Sequence, residues 1–278
     1  MDPELFRRVQ PADFLQRQLA DGARPDGRPF TATRKMKLNT NSLPNCEGSA
    51  TLRCGSSLYV AGVRGEIGSP TDAAHPSHGR IVVTTDFSKL CGADFRDEAG
   101  PSQNLSVLLS KTLTQLVNHH KAIDLSQLCI KETEAVWVLY VDVVCLEYDG
   151  NFADLPLLAS VAALRNVRLP VVTYDTSAKA YRRTTDEATQ RVHFKSSPVC
   201  VTFSRVLDED AYWLADPTRE EEELGTALTV AFVGGAGERE VTPIRWGGAP
   251  VDLERVSRRL LPTASRIKED VYDALLVG

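Results

Sequence analysis

The fold is decided by residues 135–146, which read AVWVLYVDVVCL and form the longest apolar run of the chain. Valine dominates the run, and Trp137 and Tyr140 add residue types that favour strands. The run is too short to cross a bilayer as a helix, and it predicts a central strand buried on both faces. Because a charge inside such a strand needs a partner, we interpret Asp142 as structurally paired rather than catalytic.

The central strand is followed by a turn and a helix. Residues 148–151, YDGN, are turn formers, and residues 153–167 are built mainly from Leu, Ala and Val, which predicts an apolar helix. The phrase RLP at 168–170 ends this helix before a strand at 171–174. Ahead of the central strand, a helix that opens at Pro101 has one apolar side that faces the core. Its apolar positions are Leu105, Leu108, Leu109, Leu113, Leu116 and Val117.

The N-terminal part of the chain predicts one short helix and a first group of strands. Apolar residues recur at helical spacing within residues 11–19, and Gly22 is suited to end that helix. The phrase RPDGR at 24–28 predicts a turn, because proline fixes φ and glycine tolerates positive φ. Strands are expected at 33–39, 48–53, 57–66 and 80–85, with a tight turn at 54–56 and a loop at 68–79.

The C-terminal part predicts an exposed loop, a second group of strands and a final helix. The loop is the polar stretch 175–195, and the GGAG phrase at 234–237 is expected to be a hairpin turn, because strand-type sequence follows it. Strands are expected at 199–206, 212–214, 227–233 and 241–246, and a helix at 250–277. The order of elements predicts an α+β fold of mixed sheets packed by helices on one face, with a duplicated unit as an open possibility.

Composition restricts the kinds of protein that the chain can be. It has 278 residues, of which 42% are hydrophobic and 25% are charged, as in ordinary globular proteins. Its net charge of −5 provides no overall positive field, so contact with RNA needs a local basic patch or basic partners. The six cysteines form no CxxC pair and are interpreted as free thiols. With no signal-peptide or membrane-spanning pattern, we expect an intracellular protein.

Several phrases of the sequence are similar to the RNase PH family, and in particular to its exosome branch. These phrases are Arg24-Pro-Asp-Gly-Arg28, Glu47-Gly-Ser-Ala50 with Gly55-Ser-Ser57, Trp137-Val-Leu-Tyr140, Leu146-Glu-Tyr-Asp-Gly-Asn151 and Asp216-Pro-Thr-Arg-Glu-Glu221. The resemblance runs from about residue 24 to about residue 275, which makes it more specific than any single motif. It implies an RNase PH-like fold, with mixed sheets of the ribosomal protein S5 domain 2-like kind.

The resemblance implies a layout, a set of partners and a location. Residues 1–23 would be an N-terminal helix, 24–195 the first part of the RNase PH-like domain and 196–278 its C-terminal part. The chain would be one subunit of a six-membered ring of RNase PH-like proteins, capped by S1/KH-type subunits. RNA would thread through the channel towards a separate nuclease. The implied location is the nucleus, nucleolus and cytoplasm, with no membrane contact and no cofactor.

Active members of the family carry a Gly-Gly-Thr/Ser-Arg phrase directly after the central strand. That phrase brings a hydroxyl and a guanidinium to inorganic phosphate, beside backbone N–H donors where a helix begins. Here residues 149–153 read DGNFA, so both side chains are missing, and the nearest arginine is Arg165. Where active members place a further aspartate, this chain has GTA at 225–227. We therefore expect no catalytic residue and no nuclease activity of the chain by itself.

The remaining polar residues that could suggest catalysis or metal binding have simpler interpretations. Asp216 is expected to be a turn or cap residue of Asp-Pro-Thr. The run Glu220–Glu223 is expected to be solvated surface, because four adjacent carboxylates cannot all face one ion. Four histidines lack the spacing of a ligand set, so we expect no metal. They are His75, His78, His119 and His120.

The candidates for a basic patch that contacts RNA are Arg80, Lys89 and Arg96. The resemblance puts Arg96 in the loop before the first long helix, near the channel side of related rings, although ordinary solvated charges are an equal alternative. That helix offers only Lys111 as a cation, so the isolated chain is expected to bind single-stranded RNA poorly at physiological salt. Sheet edges are expected to be covered by neighbouring subunits in an obligate hetero-oligomer.

Two other functions stay open as alternatives. The chain could be an active phosphorolytic 3′-to-5′ exoribonuclease subunit whose phosphate site is completed by a ring partner. It could also be a free-standing RNA-binding module of the ribosomal protein S5-like kind. The acidic balance and the lack of interleaved aromatic and basic residues argue against that module.

Overall fold

The computed structural model of the chain describes residues 3–71, 74–92, 95, 101–175, 180–183, 189–206, 212–234, 240–246, 254 and 256–273. Its helices are α1 (Pro3–Val9), α2 (Pro11–Ala20), α3 (Pro101–Val117), α4 (Asp154–Arg165), α5 (Arg219–Glu223) and α6 (Leu261–Ile267). Its first strands are β1 (Met36–Thr40), β2 (Gly48–Cys54), β3 (Ser57–Gly68), β4 (Arg80–Phe87), β5 (Cys129–Lys131), β6 (Ala135–Glu147) and β7 (Arg168–Pro170). The later strands are β8 (Val172–Asp175), β9 (Ala180–Arg183), β10 (Thr189–Arg191), β11 (Val199–Val206), β12 (Trp213–Ala215), β13 (Gly225–Val233) and β14 (Glu240–Arg245).

The predicted central strand, β6, lies inside the first sheet. The strand order is β1-β2-β3-β6-β4, and β5 also pairs with β6. The pairing of β3 with β6 is antiparallel and that of β4 with β6 is parallel. Residues 135–139 are buried without alternation, as predicted, but burial alternates from Tyr140 onward. The second half of the strand therefore has one face towards the core and one face towards solvent.

Asp142 lies in this alternating half of β6 and is exposed, opposite Gly62 of β3 and Thr84 of β4. A carboxylate that keeps its water needs no partner in the protein. The interpretation of Asp142 as a paired charge within a doubly buried strand is therefore wrong.

The edge strand β4 is covered by polar side chains of α3. Ser110 Oγ accepts from the backbone N–H of Thr85 at 2.8 Å, and Thr114 Oγ1 accepts from that of Val83 at 2.9 Å. Asn118 bonds both backbone groups of Ile81, accepting at 3.0 Å and donating at 2.6 Å. Because these groups satisfy the outer side of β4, the helix takes the place of a further strand. This edge needs no partner subunit.

Helix α4 packs against β2, β3 and β6 of the first sheet and also against β11 of the second. All its residues from Asp154 to Leu164 are buried, which explains why its sequence has no broad polar face. One hydrophobic cluster runs from Ala50 in β2 to Ile267 in α6 and includes both sheets. The expectation of helices on one face of a sheet is therefore too simple, because α4 lies between two sheets.

The second sheet has the order β12-β11-β13-β14, and its pairings are antiparallel. Every residue of β11 is buried, and β13 is buried from Leu228 to Val233. The antiparallel pairing of β13 with β14 confirms the predicted hairpin, although 235–237 lie outside the described residues. A helix of residues 256–273, with α6 at its centre, supplies Val256, Leu260 and Ile267 to the core.

Part of the stretch 175–195 forms strands rather than the predicted exposed loop. Strand β9 pairs with β8, strand β10 pairs with β7, and Phe194 forms an isolated bridge with Ile123. Residues 176–179 and 184–188 lie outside the described part. The domain boundaries after residues 23 and 195 stay predictions.

Two general properties of the chain accompany this fold. No helix in the described residues is long and apolar enough to cross a membrane. All six cysteines are free thiols, and four of them are buried.

Candidate functional site

The turn that leaves β6 lies against the segment that precedes α5. Gly150 has φ +82°, and a Cβ atom there would lie 2.4 Å from the carbonyl oxygen of Pro217, so this position requires glycine. Asn151 has φ +64°, in the left-handed region that asparagine tolerates better than most residues. The turn therefore brings the end of β6 and the start of α4 against residues 216–219.

Asp216 is the centre of a buried network of hydrogen bonds and is 1% exposed. Arg34 donates to its carboxylate from the backbone N at 2.7 Å, from Nε at 3.0 Å and from Nη2 at 2.8 Å. Arg28 Nη1 donates at 3.1 Å and Asn151 Nδ2 at 2.7 Å. This one carboxylate therefore joins the segment before β1, the turn after β6 and the second sheet.

The charges of this network stabilise one another. Burial would raise the pKa of Asp216, but the hydrogen bonds and the charge of Arg34 bring the pKa below its ordinary value. Burial would likewise lower the pKa of Arg34, but Asp216 raises it well above its ordinary value. Both groups stay charged at neutral pH, and each compensates the cost of burying the other.

A second carboxyl group, that of Glu222 in α5, lies on the other side of Asn151. Its Oε1 accepts a 2.7 Å hydrogen bond from the backbone N–H of Asn151, and its Oε2 is hydrogen-bonded to the hydroxyl of Tyr148. The backbone N–H of Phe152 also donates to it. Burial raises the pKa of Glu222 to about 8, although these hydrogen bonds act in the opposite direction. At pH 7 Glu222 is therefore mainly a neutral carboxylic acid.

The first residues of α4 make further contacts with the second sheet. Asp154 accepts hydrogen bonds from the backbone N–H of Thr202 at 2.8 Å and from its Oγ1 at 2.6 Å. Burial raises the pKa of Asp154 to about 6. The ring of Phe152 packs edge-on against Trp246, with 5.1 Å between ring centroids. Protein groups therefore fill the space at the start of α4.

A neighbouring ion pair fixes α5. Arg24 and Glu221 are each 1% exposed, and Arg24 Nε donates to Glu221 Oε1 at 2.9 Å. Glu221 Oε2 also accepts from the backbone N–H of Thr218 at 2.8 Å, which closes a capping box. This arrangement holds Glu222, the next residue, against the turn after β6.

The arrangement has clear chemical consequences. A phosphate site at the start of α4 would use backbone N–H donors together with a hydroxyl and a guanidinium. Here the N–H groups of Asn151 and Phe152 donate to Glu222, and the apolar ring of Phe152 lies where a polar side chain would be needed. Asp216 is buried, and Arg28 and Arg34 compensate its charge. The cluster can hold segments together, but its donors are already occupied.

An open cleft of about 690 Å³ borders the network on its outer side. It is lined by the basic residues Arg7, Arg28, Arg34 and Lys35 and by the acidic residues Asp26, Asp149, Glu220 and Glu221. Arg7 pairs with Glu220 at 2.8 Å and Arg28 with Asp26 at 2.6 Å. Because its four basic residues are matched by four acidic ones and most of them pair, the cleft has no excess of charge that would favour a ligand of either sign.

The structure adds to or corrects several interpretations of this region from sequence. Asp216 has the turn conformation that was expected, with φ +48°, and it is also the centre of an ion-pair network. The run Glu220–Glu223 is not all solvated, because Glu221 is buried and Glu222 binds the turn after β6. Residues 225–227, where active members of the family would place a further aspartate, begin β13, and the carboxyl group of Glu222 lies beside the turn after β6.

Sequence reasoning also missed Arg24 and Arg34 as parts of the network. Arg24 belongs to the RPDGR phrase, which was interpreted only as a turn, and Gly27 confirms that turn with φ +77°. The turn itself uses proline and glycine, so the two arginines of the phrase were the available signal of a second role.

The candidate RNA-binding residues do not form one patch in the described structure. Arg80 begins β4 and donates to Thr71 Oγ1 at 2.9 Å, whereas Lys89 follows the end of the same strand. An extended strand of that length separates them by more than about 20 Å. Arg96 lies outside the described residues. Contact of these three residues with RNA stays a prediction.

The histidines form two stacked pairs. The rings of His75 and His78 are 4.7 Å apart between centroids, and those of His119 and His120 are 4.5 Å apart. His119 Nε2 also lies 3.6 Å from Glu240 Oε2. In the described parts of the chain, no group of three or more histidine, cysteine, aspartate or glutamate side chains is arranged to hold a metal ion.

Comparisons with known proteins identify the family of the chain. The sequence model of the 3′ exoribonuclease family, domain 1, matches residues 32–170, and the chain belongs to this RNase PH-like family. Exosome complex component rrp43 of Schizosaccharomyces pombe is 33% identical over 249 residues, which cover 90% of this chain and 89% of that protein. Exosome complex component Rrp42 of Archaeoglobus fulgidus is 33% identical over 219 residues, 78% of each chain.

Solved structures agree with this assignment. A chain of the Archaeoglobus fulgidus exosome with RNA bound to the active site has a TM-score of 0.78 and 29% identity, and the match covers 95% of this chain and 96% of that one. A chain of an archaeal exosome core has a TM-score of 0.76 and 27% identity over 99% of both chains. The expected RNase PH-like α+β fold is confirmed. The narrower resemblance that residues 137–140 and 148–151 indicate, to the ribosomal RNA-processing protein 43 type, is confirmed as well.

Proposed function

We propose that this chain is a non-catalytic subunit of the core ring of an RNA exosome. In that role it helps to form the channel through which RNA passes and supports 3′-to-5′ RNA processing and degradation by other subunits. Its similarity to exosome components over nearly its whole length supports the ring assignment. The expected location of such a subunit is the nucleus, the nucleolus and the cytoplasm.

The single observation that carries the non-catalytic part of the proposal is the occupied start of α4. Inorganic phosphate would have to displace Glu222 from the N–H groups of Asn151 and Phe152, and no arginine or hydroxyl follows the turn in the DGNFA phrase. Charge-assisted hydrogen bonds of the kind that are missing contribute about 1.5–3 kcal/mol each. Their absence disfavours phosphate binding at this turn.

Unpaired surfaces support the proposal of ring neighbours. Strand β1 lies at the edge of the first sheet, and most of its residues are exposed. Leu90, Val107 and Leu108 are 81%, 61% and 52% exposed, so these large apolar side chains are available to a partner surface. The proposed partners are other RNase PH-like ring subunits, S1/KH cap subunits and threaded RNA.

Purification of the native complex tests the assembly. The chain, tagged at one end and isolated under mild conditions, should elute with RNase PH-like and S1/KH-type proteins, which mass spectrometry identifies. Elution as a stable monomer with none of these proteins would contradict the proposal.

A phosphorolysis assay tests the absence of catalysis. The assembled ring is incubated with RNA and inorganic phosphate, and release of nucleoside diphosphates is compared between the wild-type chain and Glu222→Gln. The amount of nucleoside diphosphate released should be equal for the wild-type ring and the Glu222→Gln ring. It should also be equal for a control ring with Glu220→Gln, a matched change on the same helix. A selective loss of about tenfold or more with Glu222→Gln, in a ring that assembles normally, would favour catalysis by this chain.

That outcome would support a second candidate function, an active phosphorolytic subunit with a composite site. The observation in its favour is that Asp216 and Glu222 both bind Asn151, so two carboxyl groups lie beside the turn after β6. A ring partner would then have to supply the guanidinium and the hydroxyl for phosphate. The variant Glu222→Gln separates the two functions better than Asp216→Ala, because Asp216 also holds the fold together.

A further inference from the structure

A second depression, of about 340 Å³, lies at the opposite end of α4 from the Asp216 network. It is lined by the last residue of α4 and by the segment that joins β10 to β11. We call it the basic pocket and define it by Arg165, Arg191, His193, Lys195, Ser196 and Ser197. No aspartate or glutamate is among the described residues that line it.

The basic pocket and the strand β7 beside it bring together like charges that repel one another. Arg191 of β10 lies directly opposite Arg168 of β7 in the antiparallel register. Like charges in this position destabilise a strand pair. Arg165, at the end of α4, adds a third guanidinium. Among the residues that the structure describes, these three arginines form no salt bridge, and Arg165 bonds only the hydroxyl of Ser197, at 3.1 Å.

The wall of the basic pocket is held in place by the rest of the chain. The side chain of Gln127 accepts from the backbone N–H of His193 at 2.8 Å and donates to its carbonyl at 3.0 Å. The backbone N–H groups of Lys195 and Ser196 both donate to the carbonyl of Ala122. Lys195 lies 3.6 Å from Asp124, the one carboxylate that pairs with a pocket cation in the described residues. The cations are therefore presented on a fixed surface.

We propose that the basic pocket binds the phosphodiester backbone of single-stranded RNA. Arginine guanidinium groups and serine hydroxyls can donate hydrogen bonds to phosphate oxygens. The exposed imidazole of His193 offers a further donor or a surface on which a base can stack. The protein keeps these cations together although its net charge is −5 and the cations repel one another. An anionic ligand would compensate this repulsion. The choice of RNA rests on the proposed function.

The test is RNA binding by the double variant Arg165→Glu/Arg191→Glu. Fluorescence anisotropy with a short labelled oligouridylate is measured on the full chain and on the assembled ring, over a series of salt concentrations from low ionic strength upward. The control is Arg8→Glu/Arg258→Glu, which makes the same change of charge at exposed residues of α1 and of the helix at 256–273. All four substituted positions are exposed, so the variants should keep the wild-type thermal transition.

The pocket variant should bind oligouridylate at least about tenfold more weakly than the control. Its plot of log K against log salt concentration should be shallower by about 1.4, because each lost phosphate contact on single-stranded RNA removes about 0.7. Equal binding by the two variants would overturn the proposal. So would a polyglutamate peptide that binds the wild-type pocket when oligouridylate does not, because the pocket would then belong to an acidic protein partner.

Ring assembly is scored separately from RNA binding. If the wild-type chain fails to elute with ring partners, the proposed function fails. The RNA affinity of the chain alone still decides whether the pocket binds RNA. If the ring assembles and the pocket variant binds RNA as well as the control does, the inference fails and the proposed function stands.

Discussion

Asp216→Ala is the substitution that most directly tests whether the buried network holds the fold together. It removes the acceptor of five hydrogen bonds, three from Arg34 and one each from Arg28 and Asn151. Arg34 then keeps its charge in a site where its side chain is 8% exposed. The penalty comes from this uncompensated buried charge more than from the lost bonds.

Removing one partner of a buried ion pair costs about 3–5 kcal/mol. Because each 1.4 kcal/mol is a factor of ten, the local opening equilibrium should rise on the order of 100- to 5,000-fold. The effect should be largest in the three segments that Asp216 joins. They are residues 28–36, 148–154 and 213–219.

Hydrogen–deuterium exchange with mass spectrometry measures this effect on the chain in its purified complex. The matched control is Asp142→Ala, which removes an exposed carboxylate from β6 and should change stability by less than about 0.5 kcal/mol. If exchange in the three segments rises by less than about tenfold, or rises equally in Asp142→Ala, the network is not the structural centre that its geometry indicates.

Other variants test other parts of the structure. The fold raises the pKa of Glu222 from its ordinary value of 4.5 to about 8, so the folded chain keeps a proton that the unfolded chain loses. The free energy of unfolding should therefore fall as the pH rises from 6 to 8, by up to about 1.4 kcal/mol per pH unit. Urea titrations of Glu222→Gln should lack this slope. Gly150→Ala should destabilise the chain by at least about 1 kcal/mol more than Gly27→Ala. Both glycines have positive φ, but only Gly150 lacks space for a Cβ atom. The difference in thermal unfolding temperature between the two variants measures this effect. Asn118→Ala should speed amide exchange in β4 on the order of tenfold, whereas Gln115→Ala, at an exposed position of α3, should not.

The parts of the fold that were predicted well are those that depend on residues close together in the sequence. The run at 135–146 has the composition and length of a strand, and the Leu, Ala and Val run after the YDGN turn has those of a buried helix. Both elements are present, with ends within a few residues of the prediction. Burial of β6 on both faces was predicted wrongly, because Asp142, the one charge in the run, was interpreted as a buried paired group instead of a sign that the second half of the strand has a solvent-facing side.

The parts that sequence could not predict depend on residues that are far apart in the chain. Arg34 and Asp216 are separated by 182 positions, and Arg24 and Glu221 by 197. No periodicity or turn signal connects such residues. An acidic run also gives no sign of which members face inward, and here only the packing of α5 distinguishes Glu221 and Glu222 from Glu223, which is exposed.

The two ends of α4 differ in what they can still bind, and the difference limits where RNA contact is possible. The helix is about 18 Å long, as expected for twelve residues. At its N-terminal end, Asn151 and Phe152 already donate to Glu222, so an anion would compete with the protein's own groups. At its C-terminal end, Arg165 and Arg191 have no carboxylate partner in the described residues.

Variants at the two ends should therefore separate stability from RNA binding. Asp216→Ala should loosen the fold with little change in the salt dependence of RNA binding. Arg165→Glu/Arg191→Glu should change that salt dependence without loosening the fold, because both arginines are exposed. If both sets of variants altered both properties equally, the two ends would act as one unit, and the assignment of structure to one end and RNA to the other would be wrong.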